Sequence, residues 1–228
     1  MLIDSKHKLF LSLTATFCTC LIVGDLIGGK LVSGQAFGFS FTTTVGMIPF
    51  PVTFLLTDVL NEFYGKRAAR LVTYLGFSMA LLTFGLVFIA AEVPIAPLTR
   101  AADWQGVTEA SFQNVFVGSL RMLGASLVAY LTSQLVDIAV FSALRRFSQG
   151  RMLWLRATGS TVVSQAIDTL VITFVAWSGL LPINEIVRII FSAYSLKLGI
   201  AICLTPLVYA LHALIQRRLG ISPFEEQS

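Results

Sequence analysis

Six stretches of mainly apolar residues, at about 9–29, 45–62, 71–91, 115–144, 157–181 and 189–214, dominate this chain. A helix crosses the hydrocarbon of a bilayer with about 20 such residues, and a helix pairs all its backbone polar groups within the segment. The stretches therefore predict an all-α integral membrane protein with six transmembrane helices. Composition agrees, because only 12% of the 228 residues are charged, against about 25% in soluble domains. The spans leave no room for a separate soluble unit, so residues 1–228 read as a single membrane domain. Lys6-His7-Lys8 ahead of the first apolar run resembles the start of a signal peptide. No convincing small-x-small cleavage site follows, so that run is read as a retained first helix.

Basic residues set the expected orientation. Lys6 and Lys8, Lys66, Arg67 and Arg70, Arg145, Arg146, Arg151 and Arg156, and Arg217 with Arg218 lie at the termini and in alternate loops. The remaining connections hold only Lys30, Arg100 and Arg188. Both termini are thus expected in the cytoplasm, which also requires an even number of spans. The same asymmetry accounts for the net charge of +4, so no nucleic-acid partner is needed. Between the first two spans, Phe37, Phe39 and Phe41 alternate with smaller residues and lead into Thr42-Thr43-Thr44. That period-two pattern predicts a short hairpin or extended segment.

The polar exceptions carry the functional information. Ser133-Gln134-x-x-Asp137 and Ser164-Gln165-x-x-Asp168 repeat one pattern inside two apolar stretches. Positions i, i+1 and i+4 fall within roughly a 100° arc of a helix, so each copy points three hydrogen-bonding groups one way. The short basic loop between these two helices makes them antiparallel neighbours and brings the two faces together.

Five acids lie in or at the ends of the spans, namely Asp25, Asp58, Glu62, Asp137 and Asp168, with two bases, Arg121 and Lys197. Rise per residue puts Asp168 and Lys197 within roughly 6 Å of the midplane. Ionisable groups at such depth face a bundle interior or a water-filled path. They could be ion pairs that hold helices in register, yet the acids outnumber the bases, and that excess favours a solute-binding cavity. Thr57, Asp58, Asn61 and Glu62 end the second span; Glu62 is expected at the interface with Lys66 or Arg67, leaving Asp58 as the better site candidate. Carboxylate, carboxamide and lysine together suit the donor–acceptor edge of a planar heterocycle, although an amino acid or vitamin would fit equally well. Cys18, Cys20 and Cys203 match no metal spacing and read as packing residues. Enzyme and nucleotide-binding motifs are absent from the sequence, so it is read as a non-enzyme that needs no cofactor.

The run Phe50-Pro51-Val52-Thr53-Phe54-Leu55-Leu56-Thr57-Asp58-Val59-Leu60-Asn61-Glu62-Phe63-Tyr64-Gly65 resembles the signature of the YhhQ-type queuosine precursor transporters, also called putative vitamin uptake transporters. Arg121 with Ala125-Ser126, both Ser-Gln-x-x-Asp copies, Gly159-Ser160-Thr161, and Lys197 with Pro206-Leu207-Val208-Tyr209 follow in the family's order. The resemblance implies a six-helix importer in the bacterial inner membrane. Its substrates would be 7-cyano-7-deazaguanine and 7-aminomethyl-7-deazaguanine, or queuine, salvaged for tRNA queuosine. It implies substrate contacts from Asp58, Gln134, Asp137, Gln165, Asp168 and Lys197, with Arg121, Thr57, Asn61 and Glu62 supporting or gating. Asp25 stands where the family more often has Asn, which raises a proton-linked site or a cationic substrate. The family is also similar to substrate-binding subunits of energy-coupling vitamin importers, which would need an ATPase partner. A structural protein whose polar residues only pair helices is the third reading. The oligomeric state is open, and a homodimer is one assembly the sequence admits.

Overall fold

In a computed structural model of the chain, residues 4–224 are described, save 29, 37–38, 101–103, 118–119 and 150. Helix α1 (Ser5–Ile27) leads into strands β1 (Leu31–Ala36) and β2 (Phe39–Thr44). Helix α2 (Phe50–Glu92), a short α3 (Glu109–Phe112), α4 (Leu120–Phe147), α5 (Leu153–Trp177) and α6 (Ile183–Leu219) follow. Five of the described helices are long and apolar enough to cross a membrane. The strands form the expected antiparallel hairpin, from Leu31 opposite Thr44 to Ala36 opposite Phe39. Phe37 and Gly38 lie outside the described residues. At the start of the expected 115–144 helix, Gln113–Val117 form a π-helical turn, and α4 is described from Leu120.

The helices are inside-out by the standard of soluble proteins. Leu86, Ile89, Val187 and Phe191 are more than half exposed on the outer surface, whereas Asp58, Asn61, Glu62, Ser133, Asp137, Arg156 and Ser164 are buried. Apolar exteriors around a polar interior are what a hydrocarbon solvent selects. This is a multi-pass membrane protein. Helices α4 and α5 make the most extensive pairing in the molecule. Ala125 and Ala129 on α4, and Ala157, Ser160 and Thr161 on α5, are almost wholly buried, and such small residues let helices approach closely.

The second and third expected spans join within α2 without an intervening loop. Gly65 alone leaves helical geometry there, at φ 77° and ψ 173°, a region open essentially to glycine. The chain reverses at this residue. Phe50 lies beneath Lys197, 5.7 Å from ring centroid to Nζ, and Lys197 shares Asp168 with Ser133 of α4. Glu62 then meets Arg145 near the far end of α4. Beyond Gly65, the carbonyl of Thr73 accepts from Tyr130 Oη, 3.1 Å away, back near the level of Ser133. Leu56, Val59, Leu60 and Phe63 before the turn and Val72 after it share one core with Leu13 and Phe17 of α1.

A Cβ on Gly65 would also lie 2.7 Å from Cδ1 of Phe224. Gly65→Ala should therefore lower stability by about 1–3 kcal/mol, read as a lower melting temperature of purified protein in detergent. Adding Phe224→Ala should recover only the steric part, because the backbone conformation remains unfavourable for alanine.

Candidate functional site

The repeated polar motif forms a crossed pair. Ser164 Oγ on α5 donates to Asp137 Oδ1 on α4 at 3.0 Å. Ser133 Oγ on α4 donates to Asp168 Oδ1 on α5 at 3.3 Å. Each motif thus supplies the serine that serves the other's aspartate. Antiparallel packing makes this necessary: the four-residue spacing within each copy matches the other's when read in the opposite direction. One helical turn, about 6 Å, separates the two bonds along the helices.

Asp168 also takes Lys197 Nζ of α6 at 2.5 Å, with 18% and 13% of the two side chains exposed. Ion pairs that hold helices in register are one expectation from the sequence, and Asp168–Lys197 is such a pair. In the same two motifs, the carboxamide oxygens of Gln134 and Gln165 are buried without a hydrogen-bond partner among the described residues. Asp25 Oδ1 of α1 accepts from Ser126 Oγ of α4 at 3.1 Å. Asp25 is also near enough to interact electrostatically with Asp168. The side chain of Arg121 lies outside the described residues.

Asp58 occupies a different level. It is 1% exposed, and neither carboxylate oxygen has a hydrogen-bond partner among the described residues. Its eight-residue separation from Phe50 sets it about 12 Å along α2 from the Lys197 level. Asn61, 2% exposed, likewise leaves Nδ2 unpartnered. Thr57 turns its hydroxyl back to the Thr53 carbonyl at 2.9 Å, satisfying itself within the helix.

Glu62 corrects the sequence reading. Instead of meeting solvent beside Lys66 or Arg67, it is 3% exposed. Arg156 of α5 holds it from two nitrogens, Nε to Oε2 at 3.0 Å and Nη2 to Oε1 at 2.6 Å. His212 Nε2 of α6 stands 3.4 Å from Oε1, and Arg145 Nη1 lies 4.0 Å from Oε2. Phe224 donates its N–H to the Glu62 carbonyl at 2.9 Å, and Arg145 Nη2 donates to the Phe224 carbonyl. A cavity of about 20 Å³ bounded by Asn61, Gly65, Lys66, Ser142, Arg145 and Phe224 adjoins this cluster. The sequence places Arg145 and Arg156 in a basic loop. The available signal was Arg156, one residue before an apolar stretch. Cys18 packs against the core as expected, whereas Cys203 is exposed on α6.

The profile of the putative vitamin uptake transporter family matches residues 44–211, which hold all these groups except Cys18, Asp25, His212 and Phe224. The chain belongs to this family. Among similar proteins, a "Probable queuosine precursor transporter" of Bacillus subtilis (strain 168) is 36% identical over 179 residues, covering 78% of this chain and 75% of the relative. The "Queuosine precursor transporter" of Escherichia coli (strain K12) is 34% identical over 137 residues, covering 60% and 56%. A "Probable queuosine precursor transporter" of Haemophilus influenzae is 30% identical over 144 residues, covering 63% and 56%. The chain thus spans little more than half the length of the second and third relatives. No solved structure matches the chain at a significant level. The family is the one expected from the Phe50–Gly65 run and the motifs after it.

The Glu62–Arg156 pair in this family member makes a direct structural prediction. Removing one partner of a buried ion pair strands the other charge, at about 3–5 kcal/mol. Arg156→Ala should lose stability on that scale, while Arg67→Ala, at an exposed position two residues past Gly65, should change little. Thermal melts of the two variants in one detergent check the contrast.

Proposed function

We infer that this chain imports queuosine precursors, 7-cyano-7-deazaguanine and 7-aminomethyl-7-deazaguanine, across the bacterial inner membrane, and that it is a transporter and not an enzyme. The observation that carries the reading is the Asp168–Lys197 pair, with Lys197 set over the Phe50 ring; the carboxamide oxygens of Gln134 and Gln165, in the two motifs that hold Ser133 and Asp168, are buried and unpartnered among the described residues. A 7-deazaguanine has an N1–H and a 2-amino group beside a 6-carbonyl. Asp168 can accept from the first two, and Lys197 can swing to the carbonyl, so the solute replaces each partner's interaction with the other. Phe50 supplies a face for the ring, and either glutamine can accept from a ring N–H. Asp25 is near enough to favour the cationic aminomethyl form. The names of the three relatives support the same substrate class.

The transporter is one membrane domain. Each arm of α2 on either side of Gly65 crosses separately, giving six passes with both termini in the cytoplasm. Basic residues cluster at Lys66, Arg67 and Arg70 just after that turn, and at Arg145 and Arg146, which supports this orientation. Transport proceeds by alternating exposure of the Asp168 level between α2, α4, α5 and α6.

Two measurements test the reading. A solute present at about 100 times its dissociation constant should stabilise purified protein by roughly 2.7 kcal/mol. That stabilisation should appear with the 7-deazaguanines, be absent with biotin or riboflavin, and vanish in Asp168→Asn while its unliganded melting stays cooperative. Proteoliposomes containing only this chain should take up the same compounds. Stabilisation without uptake would instead identify a binding subunit that needs an energy-coupling partner, and neither effect would leave the polar residues as helix-pairing groups.

A further inference from the structure

The polar groups of the bundle divide into three levels, and the importer reading uses only one of them. At the Gly65 end, Glu62 is neutralised by Arg156 at 2.6 and 3.0 Å, with Arg145 and His212 beside it. At the other level, Asp168 is neutralised by Lys197 at 2.5 Å. Between them Asp58 is almost fully buried and has no donor on either oxygen among the described residues.

The groups that act on Asp58 come from its own helix and from α4 and α5. Its own helix contributes Glu62, α4 contributes Asp137, and α5 contributes Arg156, the only cation among the three. Arg156 is engaged with both Glu62 oxygens. Asp137 is itself an acid, served by Ser164. From α6, His212 faces Glu62 and Lys197 faces Asp168, and Asp25 of α1 is held by Ser126. A bare carboxylate buried between two further acids is costly, and a bound proton removes that cost. Asn61, three residues on and on the same helical face, adds a buried Nδ2 amide without a partner among the described residues.

We propose that the Asp58 carboxyl is the proton-binding site that couples import to the proton gradient. The proposal rests on the importer reading but uses a residue outside the Asp168–Lys197 level. The carboxylate takes one proton from the outer side while the solute occupies that level. Reorientation then carries both inward, and the proton leaves to the cytoplasmic water, restoring the carboxylate. No bond of the solute changes. Asp58 is thus a coupling residue and makes no contact with the solute.

The test uses the full chain in proteoliposomes with radiolabelled 7-cyano-7-deazaguanine. An inward gradient of one pH unit should drive roughly tenfold accumulation if one proton accompanies each solute. Without an imposed gradient, uptake should acidify the lumen, read by a trapped pH dye. Asp58→Asn keeps the shape but cannot take up and release a proton. It should abolish both the accumulation and the acidification, while solute exchange at equal pH and thermal stabilisation by the solute persist. The retained stabilisation also shows that the variant is folded.

Wild-type uptake that leaves luminal pH unchanged overturns the proposal and leaves the importer reading intact. So does accumulation driven by a sodium gradient at equal pH. Persistent acidification by Asp58→Asn overturns it as well, and loss of solute stabilisation in that variant would make Asp58 a substrate ligand instead. If wild-type protein neither binds nor exchanges a 7-deazaguanine, the importer reading fails and the proposal with it.

Discussion

The structure depends on how carboxylates are satisfied where water is scarce. An ionised group in hydrocarbon is tolerated when it faces the bundle interior and finds donors. The crossed Ser164–Asp137 and Ser133–Asp168 bonds meet that need between α4 and α5. They also fix the sliding register of the two helices, since moving one helix by a turn would separate both serines from their acids. Small residues bring the backbones near enough for short serine side chains to reach across. In turn, the register presents Asp168 to Lys197 on α6 and Asp137 to the neighbourhood of Asp58 on α2. A hydrogen bond within a membrane bundle is modest, on the order of 1 kcal/mol. Two of them acting on one register nevertheless exclude the neighbouring alignments, so they act more as a specification than as a source of stability.

Much of this was legible from local pattern. The membrane class follows from apolar run length. The meeting of the two motif copies follows from a short loop and a shared i, i+1, i+4 spacing. Asp168 and Lys197 could be matched by depth alone, because rise per residue is constant in a helix. The crossed partnering was less visible: spacing shows which groups share a face but does not say whose serine serves whose acid. Glu62 was misread for a related reason. Distance along the helix put it near the interface, yet burial there depends on Arg156, which is 94 residues away in sequence, and on the C-terminal segment at Phe224. Gly65 could be recognised as a break ahead of Lys66 and Arg67. That one residue is enough to reverse the chain emerges only from contacts on both sides of it, with Glu62 at Arg145 and Thr73 at Tyr130.

The contrast between the two ion pairs bears on how such a molecule can move. Glu62 and Arg156 are both 3% exposed and joined by two hydrogen bonds, with Arg145, His212 and the Phe224 backbone around them. Separating them would leave opposite charges buried with few substitutes. Asp168 and Lys197 are joined by one contact and are several times more exposed. In the proposed binding mode a planar solute with donors and an acceptor would replace each half of the pair, so opening would not create an orphan charge. The difference in partner number makes the Gly65 end a firm anchor and the Asp168 level an exchangeable one. Motion that serves transport should then pivot about the anchored end, because the electrostatic cost of rearrangement is lowest where a solute can take over the interactions it breaks.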